Sequence, residues 1–205
     1  MKKIKAGNVD LNIYDGVLGL RCSGGADSTL LLYHLAKHSS NTIYCYVLAT
    51  EEWQYKEYPM AKQVVDKVTE LTGNSNIIVR ELRSAAKDLD KLMTLTNNAA
   101  TDDNINMLYS GITKRPPQED ESSFSTAFNE NSTFRHTDTV VPTLYETTYM
   151  PLANHNKRDV YEAYVSAGIL DQLFPLTFSC VDAIDEHCGN CWWCEERTWA
   201  FGRLI

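Results

Sequence analysis

Apolar and polar residues along the chain form blocks that predict strands and helices in turn. Short apolar runs rich in β-branched and aromatic residues predict buried strands, and longer stretches with apolar residues three or four positions apart predict helices. The predicted strands are residues 17–22, 43–48 and 77–79, and the predicted helices are 28–38, 60–71, 85–95 and 157–167. Residues 105–112 are compatible with a further strand, and β-forming residues recur over 139–149.

This alternation of strands and helices predicts an α/β fold, with a parallel β-sheet and helices on both of its faces. Gly73, directly after the second predicted helix, is typical of a helix C-cap. Ligands of such sheets bind beyond the carboxyl ends of the strands. We therefore expect the chemistry of the protein in the residues that follow the strands.

The residues after the first predicted strand form a glycine turn. Positions 22–29 read Cys-Ser-Gly-Gly-Ala-Asp-Ser-Thr and lead into the first predicted helix. Gly24 and Gly25 let the backbone come close to a ligand, and free N–H groups at a helix start attract phosphate. Asp27 is suited to hold a metal ion or a water beside the phosphates. The spacing is neither G-x-x-x-x-G-K-[ST] nor G-x-G-x-x-G.

The segment from Pro116 to Asp138 differs from the rest of the chain. It is polar and rich in Ser, Thr, Asn and acidic residues, with only scattered aromatic side chains. Its apolar content is too small to offset the entropy of ordering it, so it is predicted to be a long mobile loop or lid.

Composition narrows the class of protein. The chain has 205 residues, 43% of them hydrophobic, and a formal net charge of −8. An acidic chain is a poor match to nucleic acid and favours small-molecule substrates. No apolar run approaches a membrane span, and no signal-peptide core follows the basic N-terminus. We expect a cytoplasmic protein without a membrane partner and leave open whether it forms a homodimer.

Four of the six cysteines crowd the end of the chain, at Cys180, Cys188, Cys191 and Cys194. In a reducing compartment such a cluster indicates metal ligands rather than disulfides. A closed four-thiolate set favours structural zinc, and an iron–sulfur cluster is the competing occupant. His187 is an alternative ligand. The expected organisation is an α/β unit over 1–178 and a small zinc knuckle over 179–205 within the same compact unit, with Cys22 and Cys45 as core residues.

Two motifs together carry a resemblance to a known family. The turn resembles the S-G-G-x-D-S loop of the PP-loop ATP-pyrophosphatases. Met150-Pro151-Leu152, the helix opened by Lys157, Ser179-Cys180 and the C-G-x-C-x-x-C-x-x-R pattern over 188–197 resemble the 7-cyano-7-deazaguanine synthase family.

The resemblance implies a Rossmann-like PP-loop fold and an ATP-dependent carbon–nitrogen ligase. Such an enzyme converts 7-carboxy-7-deazaguanine and ammonia to 7-cyano-7-deazaguanine through an adenylated intermediate, with ATP, Mg²⁺ and Zn²⁺ as cofactors. The resemblance also implies catalytic roles for Asp27 and Lys157 and a substrate contact for Arg197. The alternatives are that Lys157 is an exposed lysine at a helix start and that Arg197 braces the cysteine knuckle. The nucleotide-binding residues would be Ser23, Gly24, Gly25, Asp27, Ser28, Thr29, Leu48 and Ala49.

The middle of the chain departs from that family, because Tyr109-Ser110-Gly111 matches only the start of its glycine-led substrate segment. Other acceptors therefore stay open. One alternative is a tRNA-thiolating PP-loop enzyme, and another is a nucleotide-binding module that has lost turnover. A reductase of activated sulfate is disfavoured, because its nucleophile is a cysteine in the C-terminal tail and residues 202–205 contain none.

Overall fold

The structure is a computed structural model. It describes residues 1–51, 56–85, 89–117, 119–120, 124–125, 141, 143–180, 182–183 and 185–204. Most of the predicted loop over 116–138, and part of the β-forming stretch over 139–149, lie outside the described residues.

A six-stranded sheet forms the centre of the molecule. Its strands are β3 (Leu18–Arg21), β4 (Ile43–Thr50), β5 (Ile77–Ser84), β6 (Met107–Tyr109), β7 (Leu144–Tyr145) and β8 (Thr148–Tyr149). Their order across the sheet is β5-β4-β3-β6-β8-β7, and every neighbouring pair is parallel except β7 with β8. The predicted α/β class is confirmed.

Helices cover both faces of this sheet. They are α1 (Ala26–His38), α2 (Glu57–Thr72), α3 (Leu89–Asp102), α4 (Lys157–Ala167), α5 (Leu170–Leu173) and α6 (Trp192–Phe201). The main core joins α1, α2 and α4 to one face of the central strands. A second cluster packs α3 on the other face, where Ala99 and Ala100 meet Tyr46 and Leu108. Strand alternation explains the division, because successive side chains point to opposite faces.

An N-terminal hairpin was not predicted from the sequence. Strands β1 (Lys2–Ala6) and β2 (Val9–Ile13) pair antiparallel and bury Ala6, Val9, Leu11 and Ile13 in the main core. The alternation of apolar residues around Gly7-Asn8 was the available signal. Gly7 has a φ of +58°, and a Cβ there would lie 3.0 Å from the Ala163 nitrogen of α4, so the turn requires glycine.

Several element ends differ from the predicted ones. Helix α1 begins at Ala26, two residues before the predicted start, while β4 continues to Thr50 and β5 to Ser84. Helix α3 occupies 89–102 rather than 85–95. Gly73 is confirmed as the C-cap of α2, with a φ of +71° and its N–H donating to the Thr69 carbonyl at 2.8 Å.

The strand order locates a topological switch point. From β3 the chain moves outward through β4 and β5, and then returns to add β6 on the other side of β3. Ligands of open α/β sheets bind at the carboxyl ends of the two strands that flank such a reversal. Those strands are β3 and β6, and the glycine turn directly follows β3.

Candidate active site and cysteine centre

The glycine turn connects β3 to α1 in a fixed conformation. Gly24 has a φ of +74°, and Gly25 is the N-cap of α1. The Gly25 N–H donates to Ser23 Oγ at 3.3 Å, and the Ser28 hydroxyl donates to the Gly25 carbonyl at 3.2 Å. A Cβ on Gly24 would lie 3.4 Å from the Ala61 nitrogen, so the first turns of α2 pack against this loop. The predicted strand–turn–helix setting is present.

Asp27 and Lys157, the two predicted catalytic residues, form an ion pair between Lys157 Nζ and Asp27 Oδ2. Their side chains are 18% and 11% exposed. Lys157 is the first residue of α4, whose start is fixed by a capping box between Asn156 and Asp159. The starts of α1 and α4 thus meet at the glycine turn. The other carboxylate oxygen, Asp27 Oδ1, is buried and has no hydrogen-bond partner among the described residues.

The loop after β6 reaches the same place. A Cβ on Gly111 would lie 3.0 Å from Asp27 Cβ and 3.1 Å from the Ser28 nitrogen. The Ser110 N–H donates to the Tyr149 carbonyl at 3.0 Å, which fixes the start of this loop to β8. Gly111 therefore lies against the first turn of α1 at a distance that a larger residue would not allow.

The remaining predicted nucleotide-binding residues lie within a helix or a strand rather than in the glycine turn. Thr29 is fully buried in the first turn of α1, so its predicted phosphate contact gains no support from the geometry. Leu48 and Ala49 lie within β4, not beyond its end, because this strand continues to Thr50. Leu48 packs on the α3 side, whereas Ala49 is fully buried. Their contact with adenine stays a prediction.

Arg197 serves as a brace in this structure. It is 2% exposed, and its guanidinium donates to the carbonyls of Phe174, Thr177 and Leu204 at 3.0–3.1 Å. Further bonds reach the hydroxyls of Thr177 and Ser179 at 2.9 and 3.4 Å. Burial lowers the pKa of Arg197 to about 10, which leaves it charged. Since these contacts occupy all of its nitrogens, the predicted substrate contact of Arg197 gains no support.

The four clustered cysteines converge. The Sγ atoms of Cys180, Cys188, Cys191 and Cys194 all lie within 4.8 Å of one another. The Cys188–Cys194 and Cys180–Cys191 sulfur pairs are 4.0 and 3.9 Å apart. Thiolates around one tetrahedral ion with metal–sulfur bonds of about 2.3 Å would be about 3.8 Å apart. The predicted ligand set is thus assembled and could bind a metal.

Backbone amides surround this cysteine centre. The N–H groups of Ala183 and Cys188 donate to Cys180 Sγ at 3.3 and 3.4 Å, and the Cys191 N–H donates to Cys188 Sγ at 3.2 Å. Burial alone would raise the pKa of Cys180, but backbone hydrogen bonds outweigh it and lower that pKa. Burial raises the pKa of Cys194. His187 Nδ1 lies 3.6 Å from Cys194 Sγ, and its ring stacks on Phe178 at 4.7 Å.

Phe178 links the cysteine centre to the glycine turn, a role that the sequence did not indicate. Its N–H donates to the Gly24 carbonyl at 3.0 Å, two residues before Cys180. The Tyr164 hydroxyl supports the same turn by donating to the Ala26 carbonyl at 2.8 Å. A tyrosine in an amphipathic helix and a phenylalanine before a cysteine are common core residues, so the sequence carried no signal for either contact.

No protein-family model and no curated protein sequence matches the chain. Among the described residues, no helix has the length and apolar character needed to cross a membrane. Solved structures with a similar fold include the following two. One is the U34-tRNA thiolase NcsA from Methanococcus maripaludis with its 4Fe–4S cluster, at 14% identity and a TM-score of 0.48, over 83% of this chain and 63% of the thiolase.

The other is the NMN synthetase from Francisella tularensis, at 13% identity and a TM-score of 0.49, over 92% of this chain and 78% of the synthetase. The chain thus spans less than two thirds of the length of the thiolase. Because neither TM-score reaches 0.5, the fold assignment rests on the strand order and helix placement given above. The structure thus shows an α/β protein with a glycine turn at its switch point and four convergent cysteines.

Proposed function

We propose that the chain is an ATP-using enzyme of the PP-loop type that transfers AMP to an acceptor and releases pyrophosphate. One observation carries this proposal. The starts of α1 and α4 meet at the glycine turn and bring together Asp27 and Lys157, at the carboxyl end of β3. Helix starts and a lysine attract the phosphate chain of a nucleotide, and two glycines let it approach the backbone.

In this proposal, the residues of the turn bind and orient the phosphates. The N–H groups at the start of α1 and the hydroxyls of Ser23 and Ser28 act as donors. Lys157 faces the same position with its positive charge, while Asp27 holds it in place. Charge on the leaving pyrophosphate is stabilised by groups already oriented before the reaction begins, which is the usual source of catalysis in phosphoryl chemistry.

Asp27 also suits the magnesium ion that normally accompanies ATP. Its Oδ1 is a buried carboxylate oxygen without a partner among the described residues, and Mg²⁺ prefers such oxygens, with water and phosphate completing its shell. The ion would neutralise phosphate charge and hold the tail against the turn. This fit concerns one ligand atom, so the phosphates would supply the rest.

The acceptor that we propose is 7-carboxy-7-deazaguanine, on the basis of the C-terminal motifs. Its carboxylate oxygen would attack the α-phosphorus of ATP, and pyrophosphate would leave. Ammonia would then add to the acyl carbon and displace AMP, which gives an amide. Activation of the amide oxygen by a second ATP, followed by loss of AMP and two protons, gives the nitrile. A carboxylate needs this activation because its charge repels nucleophiles.

We further propose that the four cysteines hold one structural zinc ion. The sulfur separations of 3.9 and 4.0 Å support a single ion. A cubane cluster binds each thiolate through a separate iron, which spreads the sulfurs farther apart than one ion does. Four thiolates leave no open position for a substrate, so the role of this zinc would be to fix the fold.

The test is to incubate the protein with ATP, Mg²⁺, ammonium and 7-carboxy-7-deazaguanine, and to follow AMP and the deazaguanine products by mass spectrometry. We expect AMP together with the nitrile. Amide alone would restrict the proposal to the first activation. AMP formed only with a tRNA and a sulfur donor would replace the proposed acceptor, and nucleotide binding without AMP would overturn the enzymatic proposal.

Asp27→Asn is the informative variant, with Asp171→Asn as its matched control. Both changes remove one carboxylate that pairs with a basic side chain, but Asp171 is exposed and pairs with Arg203. We expect Asp27→Asn to lower AMP formation at least about a hundredfold, since positioned charge of this kind contributes that much to catalysis. Asp171→Asn should keep the wild-type rate.

A further inference from the structure

Arg21 lies at the switch point but belongs to neither the glycine turn nor the cysteine centre. It is the last residue of β3 and precedes the turn by one position. Its neighbours Leu20 and Cys22 are buried on the α1 side of the sheet. Strand alternation therefore directs Arg21 to the opposite face, where it pairs in register with Tyr46 and its Nη2 donates to Asn97 Oδ1 of α3 at 2.9 Å.

The charge of Arg21 has no counter-charge among the described residues. Its one hydrogen bond there goes to a neutral amide, and its Nε is buried without a partner. Burial lowers the pKa of Arg21, and no acidic group in the part of the chain that the structure describes offsets this effect. Four other described arginines pair with carboxylates: Arg80 with Asp103, Arg83 with Glu81, Arg158 with Asp120, and Arg203 with Asp171.

A partly buried cation with an unused donor is costly to the folded protein, and an anion that binds there would offset the cost. A guanidinium is planar and presents two parallel N–H donors, which match the two oxygens of a carboxylate. Arg21 is only two residues from Ser23 and lies on the side of the sheet away from α1. A group that it binds would therefore approach the phosphates from the side opposite the helix start.

We propose that Arg21 binds the carboxylate of the acceptor and positions it for attack on the α-phosphorus of ATP held at the glycine turn. The inference rests on the proposed function, because a carboxylate at this point has a use only if it is adenylated. It adds an acceptor contact that none of the residues named for that function supplies. Asn97 orients the guanidinium and acts as a positioning residue.

The test compares two ligands that differ only in the carboxylate, 7-carboxy-7-deazaguanine and 7-deazaguanine, by calorimetric binding without ATP. The wild-type protein should bind the carboxylate ligand more tightly. Arg21→Gln should weaken that binding about ten- to hundredfold, as expected for loss of a hydrogen bond to a charged group, and leave 7-deazaguanine within about twofold. Arg203→Gln, a change at an exposed arginine, should alter neither.

Asn97→Asp provides a second variant that does not remove a buried group. Asn97 is exposed on α3, and an aspartate there would pair with Arg21 and compete with the ligand. We expect it to reduce selectivity for the carboxylate in the same direction as Arg21→Gln. Unchanged selectivity in both variants, or no preference for the carboxylate in the wild type, would overturn the inference.

A binding measurement with a nucleotide analogue tests whether the anion that Arg21 binds is the acceptor carboxylate or the α-phosphate of ATP. The probe is the α,β-methylene analogue of ATP with Mg²⁺, which Arg21→Gln should bind within about twofold of wild type. A loss of tenfold or more, with carboxylate selectivity intact, would assign Arg21 to the nucleotide instead. AMP formation by the wild type tests the proposed function separately, since the binding results hold whether or not turnover occurs.

Discussion

The Phe178 N–H donates a 3.0 Å hydrogen bond to the Gly24 carbonyl. This bond joins the segment that begins the cysteine centre to the segment that begins α1. The Phe178 ring stacks on His187, and Ser179 shares the Arg197 guanidinium with Thr177. The position of the glycine turn therefore depends on residues that the cysteine centre holds in place, although the two motifs are about 150 residues apart in the sequence.

The first prediction concerns metal content and its effect on the turn. We expect about one zinc per chain in protein purified under reducing conditions, and Cys191→Ser should lose it, because three thiolates bind the ion less tightly than four. Elemental analysis measures the zinc content, and titration with the α,β-methylene analogue of ATP measures the affinity of the glycine turn for nucleotide. Nucleotide affinity should fall about three- to tenfold in the variant, because residues 177–180 lose their anchor.

Cys45→Ala is the control for this experiment, since Cys45 is a fully buried core cysteine far from the cluster in sequence. It should keep both its zinc and its nucleotide affinity. Cys191→Ser protein that retains one zinc ion would contradict the predicted ligand set. Loss of zinc with unchanged nucleotide affinity would instead contradict the coupling through Phe178.

The second prediction concerns Gly111. A Cβ at this position would lie 3.0 Å from Asp27 Cβ and 3.1 Å from the Ser28 nitrogen, and the second atom belongs to the backbone of α1. Gly111→Ala should push the loop after β6 away from the turn and lower AMP formation about tenfold or more, since misplacement by about 1 Å in an active site costs up to about a hundredfold. Steady-state kinetics with saturating ATP measures this loss.

Gly73→Ala is the control for this experiment, because it should lower stability without lowering activity. Gly73 has a φ of +71° with open space around its Cα, so alanine is strained there by about 1 kcal/mol without contacting anything. It should lower the melting temperature and keep AMP formation per folded molecule. Equal loss of activity in the two variants would mean that crowding at Asp27 is not the cause.

The sequence revealed the parts of this protein that are encoded by neighbouring residues. The glycine turn and the cysteine spacing are local patterns, and the strand and helix periodicity around them predicted the α/β class correctly. The hairpin of β1 and β2 was missed although its alternation around Gly7 is visible in the sequence. The ends of β4 and β5 were placed too early, because Thr50 and Ser84 are polar residues that are held in strands by parallel pairing to each other.

Long-range contacts explain what the sequence did not reveal. The Asp27–Lys157 pair joins residues 130 positions apart, and the Phe178–Gly24 bond depends on how α6 and the cysteine centre pack. The family resemblance implies a substrate contact for Arg197, which gains no support here because Arg197 is 2% exposed and braces three carbonyls. A motif specifies which residue types occur together, but the packing around each residue decides whether its donors face a ligand or the protein itself.

The third prediction separates the structural and functional parts of the Asp27–Lys157 pair. Lys157→Met alone leaves a mostly buried carboxylate without its cation, so we expect a loss of about 2–3 kcal/mol in unfolding free energy, near the lower limit for buried pairs. The double variant Asp27→Asn/Lys157→Met removes both charges and should recover most of that stability. It should not recover AMP formation, because neither charge is present at the phosphates.

Denaturant unfolding and AMP assays on the two single variants and the double variant complete this cycle. A double variant as unstable as the single variants would contradict the stability prediction, because the unpaired charge would then not be the cause of the loss. Recovery of activity together with stability would show that the pair serves folding alone, and would remove Asp27 and Lys157 from the proposed phosphate site.

The last prediction concerns pH and His34, a residue of α1 far from the turn. His34 is 5% exposed, and neither ring nitrogen has a partner among the described residues. Burial, together with the charges of His38 and Lys37, lowers the pKa of His34 to about 4. An unfolded chain binds a proton at an ordinary histidine below about pH 6.5, whereas the folded chain does not until about pH 4. The folded protein therefore loses stability as the pH falls through this window, by at most about 3 kcal/mol from His34.

His34→Phe, which cannot titrate, should reduce the slope of unfolding free energy against pH between 6.5 and 4.5. Urea unfolding of both proteins across this range measures the difference, and parallel curves would mean that His34 keeps an ordinary pKa in the folded chain.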